Sequence, residues 1–374
     1  MRPHRAQAPH SLRVALHVGQ LLQRVPGGIG RYVEGLFGAL PRAGVEVVSF
    51  AAGDPSVHRA AGWPSFTALG HPYAPWRYEL WHRLRFPPVR IDADVVHAPS
   101  LAVPPTGRRP LVVTVNDVAF LRYPEMFTRQ GVRFHRRGLD LARRDARAVI
   151  VPSTFTRDEL LREGFDASLL FVAHHGVDIP GHLADDVLAL RLRRVGVAPP
   201  FVLSVGTLEP RKNIPFLARV VARVRERHPE VTLVRVGPPG WGDVTSIEGP
   251  GVRELGAVDE DTLDALYRAA TVCAMPSHYE GFGLPVLEAM ARGCPVVASS
   301  TSSLPEVVGD AGALVAPNDD DGWFDALVRV VEDEEGRDAR RRASVERARR
   351  FTWTESAHVH REAYEAALAP GPRS

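Results

Sequence analysis

Lysine is almost absent from this chain: Lys and Arg together number 46, and Lys212 is the one lysine among them. The two side chains do not substitute freely where a point charge must reach a phosphate, since lysine is a compact, mobile ammonium and arginine a planar fork. Lys212 lies in the segment SVGTLEPRKN (204–213), where a strand-like stretch gives way to a helix-like one. The position indicates a phosphate-binding lysine, or else a lysine that survived by chance in an arginine-rich background.

Cysteine and long apolar runs are scarce as well. Cys273 and Cys294 are the two cysteines, and each lies in an apolar run, which predicts buried thiols in a reducing compartment. No run of ~18 apolar residues is present, and residues 1–12 lack the apolar core of a signal peptide. We therefore expect no transmembrane helix and a cytoplasmic location, either free or on the inner face of the cell membrane.

Histidine and cysteine also lack the spacing of a zinc site, and no metal is expected. The acidic pattern Asp92-x-Asp94 precedes a strand-like run instead of following one, so it is interpreted as a turn and strand start. Residues 319–321 are interpreted as the N-terminus of a helix. A nucleic-acid partner is not expected.

The chain does contain a repeated alternation of short apolar runs and longer amphipathic segments, which is typical of βαβ units with parallel sheets. The first series consists of the runs 12–18, 45–51, 93–99, 111–117 and 148–153, and the second of 201–206, 231–237, 271–277, 294–300 and 312–317. The pattern predicts an α/β protein of two doubly wound domains, with a boundary near 180–200 and a ligand site in the cleft between them. Residues 351–368 predict a final helix, with Thr354 as its candidate N-cap.

The most informative segment is PSHYEGFGLPVLEAMARGCPVVAS (276–299). Its residues 281–284 form a glycine-rich turn that opens a helix near Pro285, and such a turn points free backbone N–H groups outward, which favours anion binding. Glu280 precedes the turn and can face the same cavity. Glu288 lies about one helical turn in and can reach a ligand hydroxyl. Two spaced glutamates are common by themselves, but the whole block is specific.

This block resembles the signature of glycosyltransferase family 4, whose members are retaining enzymes of GT-B architecture, and its variants are most similar to those of mannosyltransferases. The resemblance covers most of the chain and extends to SVGTLEPRKN (204–213), VPGGIGRYVEGL (25–36), DVVHAPS (94–100), VTVNDVAFLRYPE (113–125), VPSTFTRDEL (151–160), HHGVD (174–178) and SSLPEVVGDAGALVAP (302–317). It implies two Rossmann-like domains that face an interdomain cleft. These are an acceptor-binding domain over 1–185, a donor-binding domain over 186–350, and a C-terminal helix in 351–374 that packs back on the first domain.

The resemblance also implies roles for individual residues. Arg211 and Lys212 would contact the donor diphosphate, with Lys212 as a solvated side chain in the cleft. Glu280 would hold hydroxyls of the transferred sugar near the reacting carbon, and Glu288 would bind the ribose. The residues implied for catalysis are Glu280, Lys212, Arg211 and Asn116. Those implied for donor binding are Gly28, Gly30, Gly206, Arg211, Lys212, Gly281, Phe282, Gly283, Leu284 and Glu288.

On this resemblance, the chain is expected to transfer a hexose from a nucleotide sugar to a glycan, glycolipid or small-molecule acceptor with retention of configuration. GDP-mannose is the favoured donor, followed by a UDP-hexose or a deoxysugar nucleotide, and no metal or other cofactor is required. A nucleotide-sugar epimerase and a nucleotide-sugar-binding protein with little or no catalysis stay open as alternatives. A dehydrogenase is excluded, because PGGIGRYV has Val33 at the third glycine position and no acid directly follows the next strand.

One position departs from the family pattern. Many members carry a His-Asp pair at the strand end before the Pro-Glu element, where this chain has Asn116 and Asp117. Asparagine can donate and accept hydrogen bonds, but it cannot titrate. The mechanism proposed for the family lets the leaving phosphate take the acceptor proton, so no protein base is required. The asparagine therefore bears on the level of activity and on sugar preference.

Aromatic and basic residues occur together in two segments. Residues 73–90 hold Trp76, Trp81, Phe86, Arg77, Arg83, Arg85 and Arg90. Residues 129–147 add Arg129, Arg133, Arg136, Arg137, Arg143, Arg144 and Arg147. This combination predicts peripheral binding to an anionic membrane, or else core aromatics beside solvated arginines.

Overall fold

The computed structural model describes residues 11–22, 27–51, 67–68, 81, 83–240, 247 and 249–370. Their strands form two separate parallel sheets. The strands of the first sheet are β1 Leu12–His17, β2 Val45–Ala51, β3 Thr67–Ala68, β4 Val95–Ala98, β5 Leu111–Thr114, β6 Ala146–Val151 and β7 Leu170–Val172. The strands of the second sheet are β8 Phe201–Val205, β9 Thr232–Val236, β10 Val252–Glu254, β11 Val272–Met275, β12 Val296–Ser299 and β13 Ala313–Val315.

Helices connect the strands in both halves. In the first half they are α1 Gly27–Ala39, α2 Ala119–Arg122, α3 Arg129–Asp145 and α4 Thr154–Arg162. In the second half they are α5 Asp185–Val195, α6 Ile214–Arg227, α7 Glu260–Ala269, α8 Leu284–Ala291, α9 Leu304–Val308, α10 Asp320–Glu332 and α11 Arg337–Ala348, and α12 Trp353–Leu368 follows them. None of the described helices has both the length and the apolar character that crossing a bilayer demands.

Both sheets have the strand order of a doubly wound fold. The spatial order is β3-β2-β1-β4-β5-β6-β7 in the first sheet and β10-β9-β8-β11-β12-β13 in the second. Alternate residues of β5 pack into different apolar clusters, Val112 into one and Leu111 with Val113 into another, so both faces of the sheet are covered. The order reverses between β1 and β4 and between β8 and β11, which opens a crevice at the carboxyl ends of these strands. The predicted α/β architecture of two doubly wound sheets is confirmed.

Three strands lie outside the predicted runs, and all three are sheet edges. They are β3 and β7 at the two edges of the first sheet and β10 at one edge of the second. Each is two or three residues long, and β7 and β10 are only partly buried. β10 has a single apolar residue, Val252, and so lacks the continuous apolar run by which buried parallel strands are found in a sequence. β7 does lie in a short apolar run, 169–173, which is not among the runs predicted as strands.

The last helix, α12, completes the core of the first sheet. Four of its residues are buried in the same apolar cluster as β1, β4 and β6, namely Ala357, Ala363, Tyr364 and Ala367. The helix is capped by Thr352, whose Oγ1 accepts a hydrogen bond from the Glu355 N–H at 3.1 Å. The predicted cap, Thr354, is wrong, because Thr352 has the extended backbone of a cap whereas Thr354 already lies in the first helical turn.

Buried polar side chains of α1, β4, β5 and α12 form one chain of hydrogen bonds. Its distances are Tyr364 Oη to His97 Nδ1 2.9 Å, His97 Nε2 to Thr114 Oγ1 2.8 Å, Thr114 Oγ1 to Tyr32 Oη 2.8 Å, Tyr32 Oη to His360 Nε2 2.6 Å and His360 Nδ1 to the Ser356 carbonyl oxygen 2.7 Å. Because a carbonyl can only accept, Nδ1 of His360 carries a proton and its Nε2 accepts from Tyr32. Thr114 then donates to Tyr32, His97 Nε2 donates to Thr114, and Tyr364 donates to His97 Nδ1. In this arrangement both histidines are neutral. Burial lowers the pKa of His360 to about 4, in agreement with this arrangement.

The two halves touch directly beside the crevice. Ser153, the N-cap of α4, donates its hydroxyl to the Gly281 carbonyl oxygen at 2.7 Å. Glu306 of α9 accepts from the Thr154 backbone N–H at 2.9 Å. Gly281 is required at this contact, since a Cβ there would lie 1.8 Å from the carbonyl oxygen of Asn116. The residues after β5 therefore abut the glycine-rich turn of the second half.

Candidate active site

A cleft of about 400 Å³ lies between the carboxyl ends of the two sheets. The segments that follow β1, β5, β8 and β11 line it, as expected for doubly wound sheets. The structure brings every sequence-predicted site residue to this cleft: Gly28, Gly30, Asn116, Gly206, Arg211, Lys212, Glu280, Gly281, Phe282, Gly283, Leu284 and Glu288. The roles expected for them individually remain predictions.

Two cations hold Glu280 at the floor of the cleft. Lys212 Nζ lies 2.6 Å from Glu280 Oε1, and Arg211 Nη1 lies 2.9 Å from Glu280 Oε2. On its other side, Arg211 Nη2 lies 2.7 Å from Glu209 Oε1. Arg211 and Lys212 come from one short 3₁₀ helix, Pro210–Lys212, that follows β8. Two carboxylates and two cations are thus packed in one cluster.

This cluster is buried, and its central carboxylate, Glu280, is held in the ionised form. Glu280 is 5% exposed and Lys212 8%. Burial raises the pKa of Glu280, but Arg211 and Lys212 outweigh it and lower this pKa to about 2. Burial also raises the pKa of Glu209, and Arg211 and Lys212 oppose this rise. The expectation of a solvated Lys212 is wrong, because its ammonium is drawn to the buried carboxylate.

The N-terminus of α8 lines the same cleft. Its N-cap, Gly283, has a φ of 102°, a left-handed conformation that favours glycine. Pro285 lies at the start of the helix, as the sequence predicts, and its missing N–H costs nothing there. The first N–H groups of a helix have no partner within it, so the amides of Gly283 and Leu284 can donate to an anion in the cleft.

Glu288 is held from two directions on the wall of the cleft. Tyr267 donates its hydroxyl to Glu288 Oε2 at 3.0 Å, and Arg31 Nε lies 3.2 Å from Oε1. Arg31 belongs to α1 and also pairs with Glu260, so these contacts cross from the first half to the second. Burial raises the pKa of Glu288, while Arg31 and Arg292 oppose the rise. Sequence reasoning missed Arg31, although it directly follows the glycines of the GGIGR segment.

Asn116 lies where the cleft meets a second cavity of about 340 Å³ in the first half. Its Nδ2 donates to the Pro99 carbonyl oxygen at 3.0 Å, which fixes the side-chain amide against the residue that follows β4. Asp117 accepts from the Ala119 N–H at 3.0 Å and so starts α2. The residues shared by both cavities are Asn116, Asp117, Glu209 and Arg211.

One wall of the second cavity is aromatic. The rings of Phe120, Phe127 and Phe134 lie 5.1, 6.3 and 5.7 Å from the ring of His135, and all four rings line the cavity. Burial lowers the pKa of His135, with Asp117 opposing the change. Among the described lining residues, Arg211 is the only permanently charged cation. This wall is suited to a ligand with apolar faces and little negative charge.

His175 is a further cleft residue to which sequence reasoning assigned no role. It is buried, with its ring 4.6 Å from Tyr32 and 5.0 Å from Phe282. Its Nδ1 has no hydrogen-bond partner within the described structure, and burial lowers the pKa of His175 to about 3. The segment HHGVD (174–178), which carries part of the family resemblance, contains His175 and could have indicated it.

The acidic patterns examined for metals serve as local caps and partners. The backbone N–H of Arg13 donates to Asp94 Oδ2 at 2.8 Å, and the guanidinium of Arg13 pairs with Asp92. Asp319 accepts from the Gly322 N–H at 2.9 Å and caps α10, as predicted. Across the described ranges, no three His, Cys, Asp or Glu residues converge as metal ligands. Independence from metals remains a prediction.

Comparison with known proteins places these motifs in a family context. The family model described as Glycosyltransferase Family 4 matches residues 26–179, and the model described as Glycosyl transferases group 1 matches residues 199–333. The O-antigen chain mannosyltransferase B of Escherichia coli is 32% identical over 274 residues, which cover 69% of this chain and 71% of that protein. A D-inositol 3-phosphate glycosyltransferase of Nocardioides sp. is 33% identical over 252 residues, which cover 60% of this chain and 55% of that protein.

Solved structures show the same arrangement of two facing sheets. HepE of Anabaena, in complex with UDP and glucose, matches 94% of this chain and 98% of its own, with a TM-score of 0.70 and 22% sequence identity. At this identity the likeness concerns the fold. It confirms the predicted GT-B fold.

Proposed function

Because the chain belongs to glycosyltransferase family 4, among the group 1 glycosyltransferases, we propose that it transfers a hexose, with mannose favoured, from a nucleotide sugar to an acceptor with retention of configuration. The observation that carries the proposal is the buried cluster of Lys212, Arg211 and Glu280 beside the N-terminus of α8. A departing nucleoside diphosphate gains negative charge, and fixed cations and amides in a site with little water stabilise that charge.

In this proposal Lys212 and Arg211 meet the diphosphate together with the amides of Gly283 and Leu284. Glu280 pairs with both cations and Glu209 pairs with Arg211, so the two carboxylates balance the two cations and hold them in position. Once the diphosphate shares the cations, Glu280 can accept hydrogen bonds from sugar hydroxyls near the anomeric carbon. Its lowered pKa keeps it ionised for this task.

The ribose of the donor would be bound by Glu288. Tyr267 already fixes one carboxylate oxygen, and the other is occupied by Arg31. A ribose hydroxyl would replace Arg31 at Oε1, because a hydroxyl donates to a carboxylate as the guanidinium does. Arg31 would then keep Glu260 as its remaining partner.

Retention requires the acceptor hydroxyl to attack the anomeric carbon from the face that the phosphate leaves. The bond from the anomeric carbon to the phosphate oxygen breaks, the bond to the acceptor oxygen forms, and the acceptor proton passes to the leaving phosphate oxygen. No protein base takes part in this scheme, and Asn116 is compatible with it because an amide does not titrate. No metal or other cofactor takes part either, since Lys212, Arg211 and the α8 amides supply the positive charge.

GDP-mannose is the favoured donor, with a UDP-hexose next and a deoxysugar nucleotide after it. Support for mannose comes from the sequence motifs and from the similarity to a protein named as a mannosyltransferase. Support for a UDP-hexose comes from HepE, whose structures contain UDP and UDP-glucose.

The acceptor would approach through the aromatic cavity beside Asn116. Apolar faces of a sugar ring gain from packing on Phe120, Phe127 and Phe134, since this removes apolar surface from water. The described lining offers no cation beyond Arg211, which Glu209 and Glu280 already bind. We therefore favour a neutral sugar hydroxyl, presented by a glycan, a glycolipid or a small molecule, over a phosphorylated acceptor.

The decisive experiment is incubation of the purified protein with radiolabelled GDP-mannose, UDP-glucose, UDP-galactose and a deoxysugar nucleotide, scored for slow hydrolysis. We expect release of mannose from GDP-mannose to be fastest, and the Lys212→Ala variant to serve as the inactive control. Binding of a donor without turnover would favour the nucleotide-sugar-binding protein, an alternative motivated by Asn116. Conversion of the sugar to an epimer would favour the epimerase.

We also propose peripheral binding to the anionic inner face of the cell membrane. Leu84 and Phe86 are 63% and 71% exposed. The segment that carries them is fastened to α3, because Arg137 Nη2 donates to the Arg83 carbonyl oxygen at 2.9 Å. The predicted arginines of α3 are exposed beside it: Arg129, Arg133, Arg136, Arg137, Arg143 and Arg144. Trp76 and Arg77 lie outside the described residues.

Sedimentation with anionic liposomes at low and high salt tests this proposal. Exposed apolar side chains and nearby arginines together favour an anionic bilayer surface, where each basic residue adds ~1 kcal/mol. We expect salt-sensitive binding that the paired change Leu84→Ser and Phe86→Ser weakens. Absence of salt-sensitive binding in the unchanged protein would contradict a membrane role.

A further inference from the structure

A third cavity lies at the opposite end of the first sheet from the active-site cleft. It has a volume of about 470 Å³ and is bounded by Arg85, residues 105–111 and residues 145–147. Leu111 begins β5 and Ala146 begins β6, so the cavity lies at the amino ends of these strands. Its size falls within the roughly 300–1,000 Å³ of small-molecule sites.

Four guanidinium groups line this cavity: Arg85, Arg108, Arg109 and Arg147. Asp145 is the only acid among the described lining residues. Its two oxygens already accept hydrogen bonds from Arg144, at 2.7 and 2.9 Å, and these bonds lower the pKa of Asp145. Asp145 Oδ2 also lies 3.7 Å from Arg85 Nη2, so one carboxylate, shared with Arg144, faces the four arginines of the cavity.

Two of the four guanidinium groups are fixed by backbone carbonyls. Arg85 Nη1 donates to the Val103 oxygen at 2.9 Å. Arg109 Nε and Nη1 donate to the oxygens of Ala93 and Val89, both at 3.2 Å. These bonds hold two like charges at the cavity; Arg85 also pairs with Asp145 at 3.7 Å, whereas the carbonyls leave the charge of Arg109 unchanged.

The other two, Arg108 and Arg147, are exposed, and neither forms an ion pair or hydrogen bond with any residue that the structure describes. Many other arginines of the chain do find acids. Arg122, for example, pairs with Glu159 and with Glu163. A concave site where four arginines share one acid, which is itself bound to Arg144, is suited to an external anion.

We propose that this cavity binds a phosphate-bearing ligand, either a soluble phosphate ester or the headgroup of an anionic phospholipid. The guanidinium fork matches phosphate oxygens in pairs, so several arginines can bind one phosphate group. Arg85 lies between the exposed Leu84 and Phe86 in sequence, so one short segment contributes both to the cavity and to the proposed membrane surface. The site is separate from the donor cleft and does not depend on the proposed sugar transfer.

The test compares two matched pairs of substitutions in the full chain. Arg108→Ser with Arg147→Ser removes two unpaired cations of the cavity, and Arg342→Ser with Arg350→Ser removes two exposed cations of the second half, outside both the cavity and the proposed membrane surface. Calorimetric titration with sn-glycerol 3-phosphate probes a soluble ester. Sedimentation with vesicles of phosphatidylglycerol and phosphatidylcholine probes a lipid headgroup. Because the donor cleft is unchanged in both pairs, any phosphate bound there cancels in the comparison.

We expect the cavity pair to weaken binding about tenfold or more relative to the control pair. If the loss is seen with glycerol 3-phosphate, the ligand is a soluble phosphate ester. If it is seen with vesicles alone, the ligand is a lipid headgroup. If the two pairs behave alike with both probes, the proposal is overturned.

Discussion

Lys212 Nζ and Glu280 Oε1 lie 2.6 Å apart and join the segment after β8 to the segment after β11. The two residues are 68 positions apart in the chain, and both are buried. Their contact therefore bridges the two segments at the crevice where the strand order of the second sheet reverses. Since the same pair is proposed to meet the donor, changes to it are expected to affect both folding stability and catalysis.

The two glutamates of the cleft are expected to differ in kinetic role. Glu280→Gln should lower kcat by roughly 10²-fold, because the side chain acts next to the reacting sugar. Glu288→Gln should instead weaken donor binding by about 1–3 kcal/mol, because it loses a charged hydrogen bond to the ribose. The measurements are kcat and the Kd of the donor for each variant.

Glu346→Gln, an exposed change on α11, is the control for removal of one negative charge. It should leave both constants unchanged. Wild-type turnover and wild-type donor affinity in both cleft variants would show that the assignment of the site is wrong.

Substitutions of Lys212 test whether a point charge is needed at the diphosphate. Lys212→Arg conserves charge, but the longer fork would displace the diphosphate, and a displacement of ~1 Å can cost ~100-fold in rate. Lys212→Ala should be at least as damaging to kcat/KM. Arginine working as well as lysine would mean that the lone lysine is an accident of composition.

Burial of Lys212 adds a stability effect to this prediction. Lys212→Ala removes one of the two cations that hold the buried carboxylate of Glu280, while Arg211 stays in place. Loss of a partner in a buried pair is strongly destabilising when nothing replaces it, so with Arg211 present we expect about 1–3 kcal/mol. Thermal melting of Lys212→Ala beside the wild-type protein measures this, and an unchanged Tm would contradict it.

Acid is expected to destabilise the fold in two separate pH ranges. Burial lowers the pKa of His175 to about 3 and of His360 to about 4. Below pH ~6.5 the unfolded chain therefore binds protons that the folded chain does not, and stability falls as the pH falls. Glu280, with a pKa lowered to about 2, contributes stability above its unfolded pKa and loses it only between pH ~4.5 and ~2.

A single substitution can isolate the loss of stability that a buried histidine causes below pH ~6.5. By pH 5 each buried histidine should have cost about 2 kcal/mol relative to pH 7.5. Urea unfolding of His175→Gln should show a smaller loss between these pH values than the wild-type protein. Equal losses in the two proteins would show that His175 does not titrate as proposed.

Catalysis is expected to be independent of divalent metal. Lys212, Arg211 and the amides at the start of α8 provide the positive charge that an ion would otherwise supply. Activity with the best donor should be the same in EDTA and in buffer. Activity abolished by EDTA and restored by manganese would reverse this conclusion.

Much of the fold could be predicted because its central strands are continuous apolar runs. All four residues of β4, β5 and β11 are buried, and the sequence marks these strands clearly. The site residues could be predicted because they lie in motifs that resemble those of the family, in the segments after such strands, as Glu280 lies after β11 and Lys212 after β8. A glycine-rich turn before a helix marked the start of α8 in the same way.

The remaining features depend on contacts between distant segments. The pairing of Arg31 with Glu288 joins α1 to α8, and no local pattern indicates it. The burial of Lys212 likewise depends on a carboxylate 68 positions away. The cap of α12 was placed two residues too late, because Thr352 and Thr354 are chemically identical candidates and only the backbone conformation separates them.

The position of α12 also has a consequence for folding during synthesis. The first sheet lacks part of its core until Ala357, Ala363, Tyr364 and Ala367 have left the ribosome. The second sheet, whose strands end at Val315, has all of its strands earlier. N-terminal domains usually fold first on the ribosome, but the first half of this chain is expected to complete its core only after the second half has all of its strands.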